Sequence, residues 1–360
     1  MHSSHFLWAA GHDRFHWAAG ALISIICCLM VGCSGLSATG SRLAAGSAGG
    51  SSGPQIKLVS WNVETFFDAV TEGSEYEEFI GYKSLWSADK YKARLKKLAD
   101  YMKEENADIY CFMEIENEAV VLDISNQLQG SDAHGTKWKY AAFGKEPGTA
   151  IGCAVFSKLP LEGMTMHQID YSASLPASAF EKRTPGTPLE PPIMRPLLEL
   201  RLTAGNKLTL FVCHWKSKSG DEAESAVWRN CQEALLASRM EMALSQGSAV
   251  LACGDFNRGL SEFLWSYQEG CVELQSFSGC ITAASPWFTS TQPGSYCYQG
   301  EWNKLDHIFA AGGTSLLSFE ADTGSGLVTS SGAPYGYSVA SGKGSSDHLP
   351  LICTFTVSAQ

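Results

Sequence analysis

Five short polar strings interrupt apolar runs in this chain: Trp61-Asn62-Val63, Met113-Glu114-Ile115-Glu116-Asn117, Gly254-Asp255-Phe256-Asn257, Leu305-Asp306-His307-Ile308 and Ser345-Ser346-Asp347-His348-Leu349. Each puts a carboxylate, an amide or an imidazole where a strand-like run ends, the place an α/β scaffold gives to chemistry rather than packing. Hydrolysis of a phosphodiester near neutral pH needs a cation on the non-bridging oxygens, a base for the attacking water, and donors for the charge of the transition state. The hard oxygens in these strings suit Mg²⁺, with Mn²⁺ and Ca²⁺ also compatible, and Mg²⁺ needs only one or two protein carboxylates. No activated Ser or Cys nucleophile is visible, so water is expected to attack in one step.

Glu114 is the first choice of metal ligand; the competing reading is an acidic residue opening the following helix. Glu116 and Asn117 read as caps of that helix. Asp255 and Asn257 flank Phe256, so in extended backbone both polar side chains share a face. Asp255 then serves the water and Asn257 donates to a phosphate oxygen; the plainer alternative is a Gly-Asp turn. Asp306 and His348 supply a carboxylate–imidazole pair, while His307, pointing away from Asp306, reads as structural. Arg195, Lys216 and Lys218 are candidate substrate cations, against a reading as solvated surface charge. Trp215, Trp287, Tyr296, Tyr298 and Trp302 offer stacking faces to bases, against a reading as packing.

The elements that must position these groups follow from periodicity. Strands are expected at Gln55–Asn62, Asp108–Met113, Ile151–Ser157, Leu197–Leu202, Leu208–Cys213, Ala249–Cys253, Leu305–Ala310 and Leu351–Val357. Tyr91, Leu95, Leu98 and Met102 at helical spacing predict a helix over Ala88–Asn106, and further helices are expected at Asn117–Leu128 and Asp221–Ser245. Such a mixture suits an α/β fold of two packed mixed sheets flanked by helices. Two stretches, Asp170–Pro192 and Ser276–Asn303, have loop composition and are expected to govern substrate admission.

Composition sets limits. The chain has 360 residues, 45% of them hydrophobic, and carries 26 basic against 37 acidic side chains, a net charge of −11. A global basic footprint for nucleic acid is missing, although a bound divalent cation would reverse the local sign at the acidic strings. The apolar run Trp17–Gly32 ends at Cys33 and is expected to be a lipoprotein-type signal, residues 1–32, with lipid attached to Cys33. The competing readings are an uncleaved signal or a membrane-spanning anchor. A Ser/Gly-rich tether, residues 33–54, then leads to a catalytic domain, residues 55–360. The expected location is exported and tethered to a bacterial membrane, periplasmic or at the cell surface. Nine cysteines follow Cys33. Cys111, Cys153, Cys213, Cys253 and Cys353 sit in strand-like runs as small hydrophobes, and a disulfide is open to one pair among Cys271, Cys280 and Cys297.

In order and spacing the five strings resemble the endonuclease/exonuclease/phosphatase superfamily, which includes deoxyribonuclease I, neutral sphingomyelinases and inositol polyphosphate phosphatases. The resemblance spans roughly residues 56–357. His214-Trp215-Lys216-Ser217-Lys218 and Tyr296-Cys297-Tyr298-Gln299-Gly300 are most similar to its secreted bacterial nuclease branch. Met113 stands where the family usually has glutamine before the metal-binding glutamate. The resemblance implies a four-layer α/β sandwich like that of deoxyribonuclease I. It implies that Asn62 touches metal or phosphate, that Asp347 binds metal or its water, that Asp306 orients His348, and that His348, His214 and Arg195 face the phosphate. The expected activity is Mg²⁺-dependent phosphodiester hydrolysis by a monomer, with DNA as the first substrate and RNA a second candidate. A phospholipid headgroup or inositol phosphate is the alternative substrate, and a non-catalytic surface binding protein the alternative class. No protein partner is inferred.

Overall fold

The computed structural model describes residues 5–9, 53–129, 137–169, 192–266 and 270–358. In chain order they form β1 (His5–Ala9), β2 (Gln55–Phe66), α1 (Glu77–Ile80), α2 (Ala88–Glu105), β3 (Ile109–Ile115), α3 (Glu118–Gln129), β4 (Tyr140–Gly144), β5 (Gly152–Ser157) and β6 (Leu161–His167). There follow β7 (Leu197–Thr203), β8 (Lys207–His214), α4 (Glu222–Ser245), β9 (Ala249–Asp255), β10 (Leu264–Ser266), β11 (Cys271–Gln275) and β12 (Cys280–Ala284). The set ends with β13 (Tyr296–Tyr298), β14 (Glu301–Asn303), β15 (Asp306–Ala311), β16 (Thr314–Ala321) and β17 (Leu351–Val357).

One sheet runs β1-β4-β5-β3-β2-β17-β16 and the other β10-β11-β12-β15-β9-β8-β7-β6. Both are mixed, because β2 pairs β3 in parallel and β8 pairs β9 in parallel while the other neighbours are antiparallel. Side chains alternate between the faces of a strand, and that alternation builds the layers. Ile109, Cys111 and Met113 of β3 meet Leu210, Val212, Leu251 and Cys253 of the second sheet in the central core. Tyr110 and Phe112, between them, face outward onto Leu95, Leu98 and Met102 of α2 and Val120 and Ile124 of α3. On the far side Leu236, Ala237 and Met240 of α4 cover Phe211, Val250, Ala252 and Phe309. The result is the expected sandwich of helices, two sheets and a helix.

The helices stop where their caps dictate. The Ser87 hydroxyl accepts from Lys90 N at 3.3 Å, and Asn106 closes α2 in the left-handed conformation. Asp221 caps α4 through Glu224 N at 2.9 Å, and Asn117 caps α3 through Val120 N at 3.0 Å, as expected. Glu116 departs from that expectation, since its carboxylate instead accepts the backbone N–H of Asp68.

Part of Ser276–Asn303 is regular, contrary to the loop reading. It holds β12, a 3₁₀ turn at Pro286–Phe288 and the β13–β14 hairpin. Only Ile281 and Ala283 of β12 are buried, too few apolar anchors to mark a strand by pattern. Cys271 pairs with Ala284 and Cys280 with Gln275, so these two cysteines lie at opposite ends of the β11–β12 ladder. Cys280 and Cys297 are free thiols, and the disulfide is absent there. Strand β1 falls within residues 1–32 and pairs with β4 at the sheet edge. Residues 10–52, with Cys33 and the tether, lie outside the described residues, as do residues 170–191 of the first insertion. Among the described residues no helix is long and apolar enough to cross a membrane.

Candidate active site

Parity along the strands delivers the polar groups to one seam. The residues facing the central core are Leu58 on β2, Leu210 and Val212 on β8, Leu251 and Cys253 on β9, and Ile308 and Ala310 on β15. Continuing each series in steps of two reaches Asn62, His214, Asp255 and Asp306, all 2% exposed or less. Register then sets them level, because His214 is paired with Asp255 and Asp255 with Asp306 on adjacent strands. Gly254 permits that closeness: a Cβ there would stand 1.9 Å from the Cys213 carbonyl oxygen, and its φ is +137°.

Glu114 has the wrong parity and is re-aimed by the backbone. It has φ +69°, and the ladders on both sides of β3 slip beside it, between Asn62 and Phe66 on β2 and between Met113 and Ile115 against β5. A bulge of this kind turns a side chain across the sheet. Its Oε1 accepts from Asn62 Nδ2 at 3.1 Å and its Oε2 from Thr65 N at 2.6 Å.

Asp255 Oδ2 is the centre of the site. It accepts from Asn62 Nδ2 and Asn257 Nδ2, each at 3.1 Å, with His214 Nε2 at 3.8 Å and His348 Nε2 at 3.9 Å. Asn257 reaches it with φ +47° rather than by extended backbone, while Phe256 turns into the core as expected. His348 Nδ1 donates to Asp306 Oδ2 at 2.7 Å, and Ser295 Oγ donates to the same oxygen at 2.6 Å. His307 points to the opposite face and bonds the Arg258 carbonyl at 2.7 Å, the structural role expected of it.

Burial and charge set the protonation states. Burial raises Asp255 to about 7, with Asp306 adding to the effect and His348 and the two asparagines opposing it. Burial disfavours a charged His348, yet the carboxylates of Asp306, Asp347 and Asp255 together hold its pKa well above the ordinary value. His214 is pushed well below its ordinary value by burial, then by Arg195 and His348, and stays neutral. Its contacts with Glu114, at 3.6 Å, and Asp255 are therefore not ion pairs. Burial and Asp347 raise Glu64 to about 7, and burial raises Asp347, with Glu114 contributing.

Three crowded carboxylates that resist ionisation, with Asp306 Oδ1 and His214 Nδ1 buried and unpartnered, fit a hard divalent cation. Asp255, Asp306 and His348 bring one ligand atom each within 4.8 Å of one another and form one candidate metal group. Asn62 and Glu114, with Asp347 electrostatically coupled to Glu114, form the oxygen-rich side of the same site.

The other expected residues divide. Arg195 donates to the Trp215 carbonyl at 3.2 Å and bonds the Tyr76 phenol near Glu114, so it borders the site. Lys216 contacts Ser217 and Ser219 in its own loop, where burial and then the nearby charge of Arg195 lower its pKa, and Lys218 is paired with Glu262 at 2.7 Å. Trp215 and Trp287 are buried, Trp215 against Phe256 and Phe263, and offer no stacking face. Trp302 packs against the central core. Tyr296 lies over His348 with ring centroids 4.8 Å apart, and Tyr298 is 60% exposed. Sequence reasoning missed Ser295, Glu64 and Arg94. Ser295 carries no pattern; Glu64 follows Asn62 by two residues and was readable as a further polar group at the strand end.

Residues 59–348 match the Endonuclease/Exonuclease/phosphatase family. The chain belongs to this family. Its members hydrolyse phosphoester bonds and depend on metal. Among solved structures it is similar to a family protein from Bacteroides thetaiotaomicron, at 14% identity and TM-score 0.52, covering 85% of this chain and 96% of that one. D. rerio TDP2 complexed with single strand DNA product is similar at 15% identity and TM-score 0.51, covering 84% and 98%. The human Nocturnin catalytic domain is similar at 16% identity and TM-score 0.50, covering 84% and 95%. At these identities the likeness is one of fold. No curated protein matches the chain.

Proposed function

We propose that this family member is a divalent-metal-dependent phosphodiesterase acting as a nuclease on DNA, with RNA as a second substrate. The observation that carries the reading is the convergence of polar strings, spread from Asn62 to His348, on one Asp255 oxygen. Glu114, Asn62 and Asp347 would hold Mg²⁺, which when bound supplies positive charge to the non-bridging phosphate oxygens. Ionised Asp255, held by two amides, orients water and takes its proton. Protonated His348, fixed by Asp306, donates from Nε2 toward the phosphate or leaving oxygen. Neutral His214 and the Asn257 amide would add donors, and Arg195, beside Trp215 and Tyr76, would meet an adjoining phosphate.

Nucleic acid is favoured over a phospholipid headgroup by the short β13–β14 hairpin beside His348, which presents Tyr296 and Tyr298 as planar faces. The fold relative D. rerio TDP2, captured with single strand DNA product, supports the same direction. Export and lipid attachment at Cys33 belong to the proposal on the strength of residues 17–33 alone. Cleavage before Cys33 would also release β1 and leave β4 as the sheet edge.

The test is a parallel assay of plasmid DNA, single-stranded DNA, RNA and sphingomyelin, with Mg²⁺ and with chelator. Metal-dependent cleavage of nucleic acid is expected. Release of phosphorylated headgroup without nucleic-acid cleavage would overturn the substrate, and chelator-resistant cleavage would overturn the metal.

A further inference from the structure

The backbone just beyond Asn62 is unfavourable by itself. Glu64 and Thr65 have φ +53° and +44°, two successive side-chain-bearing residues in the left-handed region. One side chain from another element holds them. Arg94 of α2, 5% exposed, donates to the carbonyls of Val63 at 2.8 Å and Thr65 at 2.9 Å, and also to that of Glu64. Its guanidinium lies 3.9 Å from the Tyr337 ring centroid and 4.7 Å from that of Phe66. Among the described residues no carboxylate stands within ion-pair distance of it; the three carbonyls are its hydrogen-bond partners, and the carboxylates of Glu64, Glu114 and Asp347 act on its charge from farther away.

The N–H groups of this turn serve the expected metal ligands. Glu64 N donates to Asn62 Oδ1 at 3.0 Å and Thr65 N to Glu114 Oε2 at 2.6 Å. The Glu64 carboxylate accepts the N–H of Asp347 at 2.9 Å and of Tyr337 at 2.7 Å. Asn62, Glu114 and Asp347 are therefore all tied to the turn whose three carbonyls accept from the Arg94 guanidinium.

We propose that Arg94 is a positioning residue for the metal site, acting through the Val63–Thr65 turn on Glu114, Asn62 and Asp347. The inference rests on the reading of those three as ligands, and it extends that reading to a residue that touches neither metal nor substrate. A planar fork can span several carbonyls where an ammonium cannot. Outer groups that orient ligands contribute about 10–100-fold to metal affinity.

The experiment compares Arg94→Lys with wild type by Mn²⁺ calorimetry, thermal melting and hydrogen exchange of the metal-free full chain. The expected result is a folded variant whose Glu64 and Thr65 amides exchange faster while those of Leu251 and Cys253 do not, with Mn²⁺ affinity about tenfold weaker. In a Glu114→Gln background the Arg94→Lys effect on affinity should shrink, because the two act through one contact. A lower melting temperature with unchanged Thr65 exchange and unchanged affinity would assign Arg94 to packing alone and overturn the proposal. Should wild type bind no Mn²⁺, the metal reading fails, and exchange at Glu64 and Thr65 still decides whether Arg94 holds the turn. Should Arg94→Lys not fold, Tyr337→Ala takes its place. It removes one ring from the guanidinium and is expected to show both changes at smaller size; the absence of both would refute the idea.

Discussion

Asp255 and His348 have pKa values displaced in ways that suit opposite tasks. In the proposed mechanism Asp255, raised to about 7 by burial, would have to be ionised to take a proton, and His348, held well above its ordinary value by three carboxylates, would have to keep its proton to donate one. Without metal Asp255 lies at about 7; a bound cation favours its ionised form, so cleavage is expected to rise with pH on a limb below about 7 and to decline only at higher pH, when His348 is neutralised. Measurement of kcat/KM against pH checks this, and a flat profile on the acidic side would contradict the role of Asp255. Loss of either group, in Asp255→Asn or His348→Ala, is expected to lower the rate by about 10²–10⁴-fold without loss of fold. Circular dichroism and plasmid nicking measure the two halves of that expectation. Asp306 shows why the pair is read as a unit, since its Oδ2 takes bonds from both His348 and Ser295.

Strand parity made much of the site legible in the sequence, and the breaks in parity made the rest illegible. Asn62, His214, Asp255 and Asp306 end regular apolar runs, and period two alone sends their side chains to the common seam. Glu114 was recognisable by residue type, but its orientation depends on a left-handed bulge that no pattern announces. The hold of Arg94 on Val63–Thr65 was invisible because it joins a helix to a strand end through backbone carbonyls. Edge strands were lost for a related reason: in half-exposed β16 a bulge between Leu316 and Ser318 puts the core-packed Leu316 and Phe319 three residues apart, so no period of two runs through them. The long helix α4 and the amphipathic α2 were legible within a residue or two. At this scale Gly254 is the sharpest test. Gly254→Ala places a Cβ against the Cys213 carbonyl at a φ that alanine avoids. It is expected to destabilise the fold by about 1–3 kcal/mol or more, read as a shift in the urea midpoint.

Across the whole molecule the buried carboxylates make stability depend on pH. Glu64 and Asp255 are raised to about 7 and Glu116 to about 8. A carboxyl raised on folding binds protons in the folded state that the unfolded chain has released, so stability falls as pH rises toward the folded pKa. His348, also raised, acts in the same direction. His307, lowered to about 4, opposes it, but only below its ordinary value of about 6.5. The metal-free protein is therefore expected to melt at lower temperature as pH increases between about 6.5 and 8; Mg²⁺ or Mn²⁺ should reduce the share of that slope that comes from the site carboxylates and leave the share from Glu116, whose carboxylate bonds Asp68. Differential scanning calorimetry at several pH values, with and without metal, measures it; a metal-free melting temperature that climbs over this window would contradict the raised pKa values of Glu64, Asp255 and Glu116.

The proposed function rests above all on a hard cation held by Glu114, Asn62 and Asp347, which would leave Asp255, Asp306 and His348 for proton transfer. Anomalous diffraction from crystals grown with Mn²⁺ tests this directly. The expected result is a peak at coordination distance, about 2.1 Å, from a Glu114 carboxylate oxygen, with the Asp306–His348 hydrogen bond intact. A peak bound instead by Asp255, Asp306 and His348, or no peak in the seam, would contradict it.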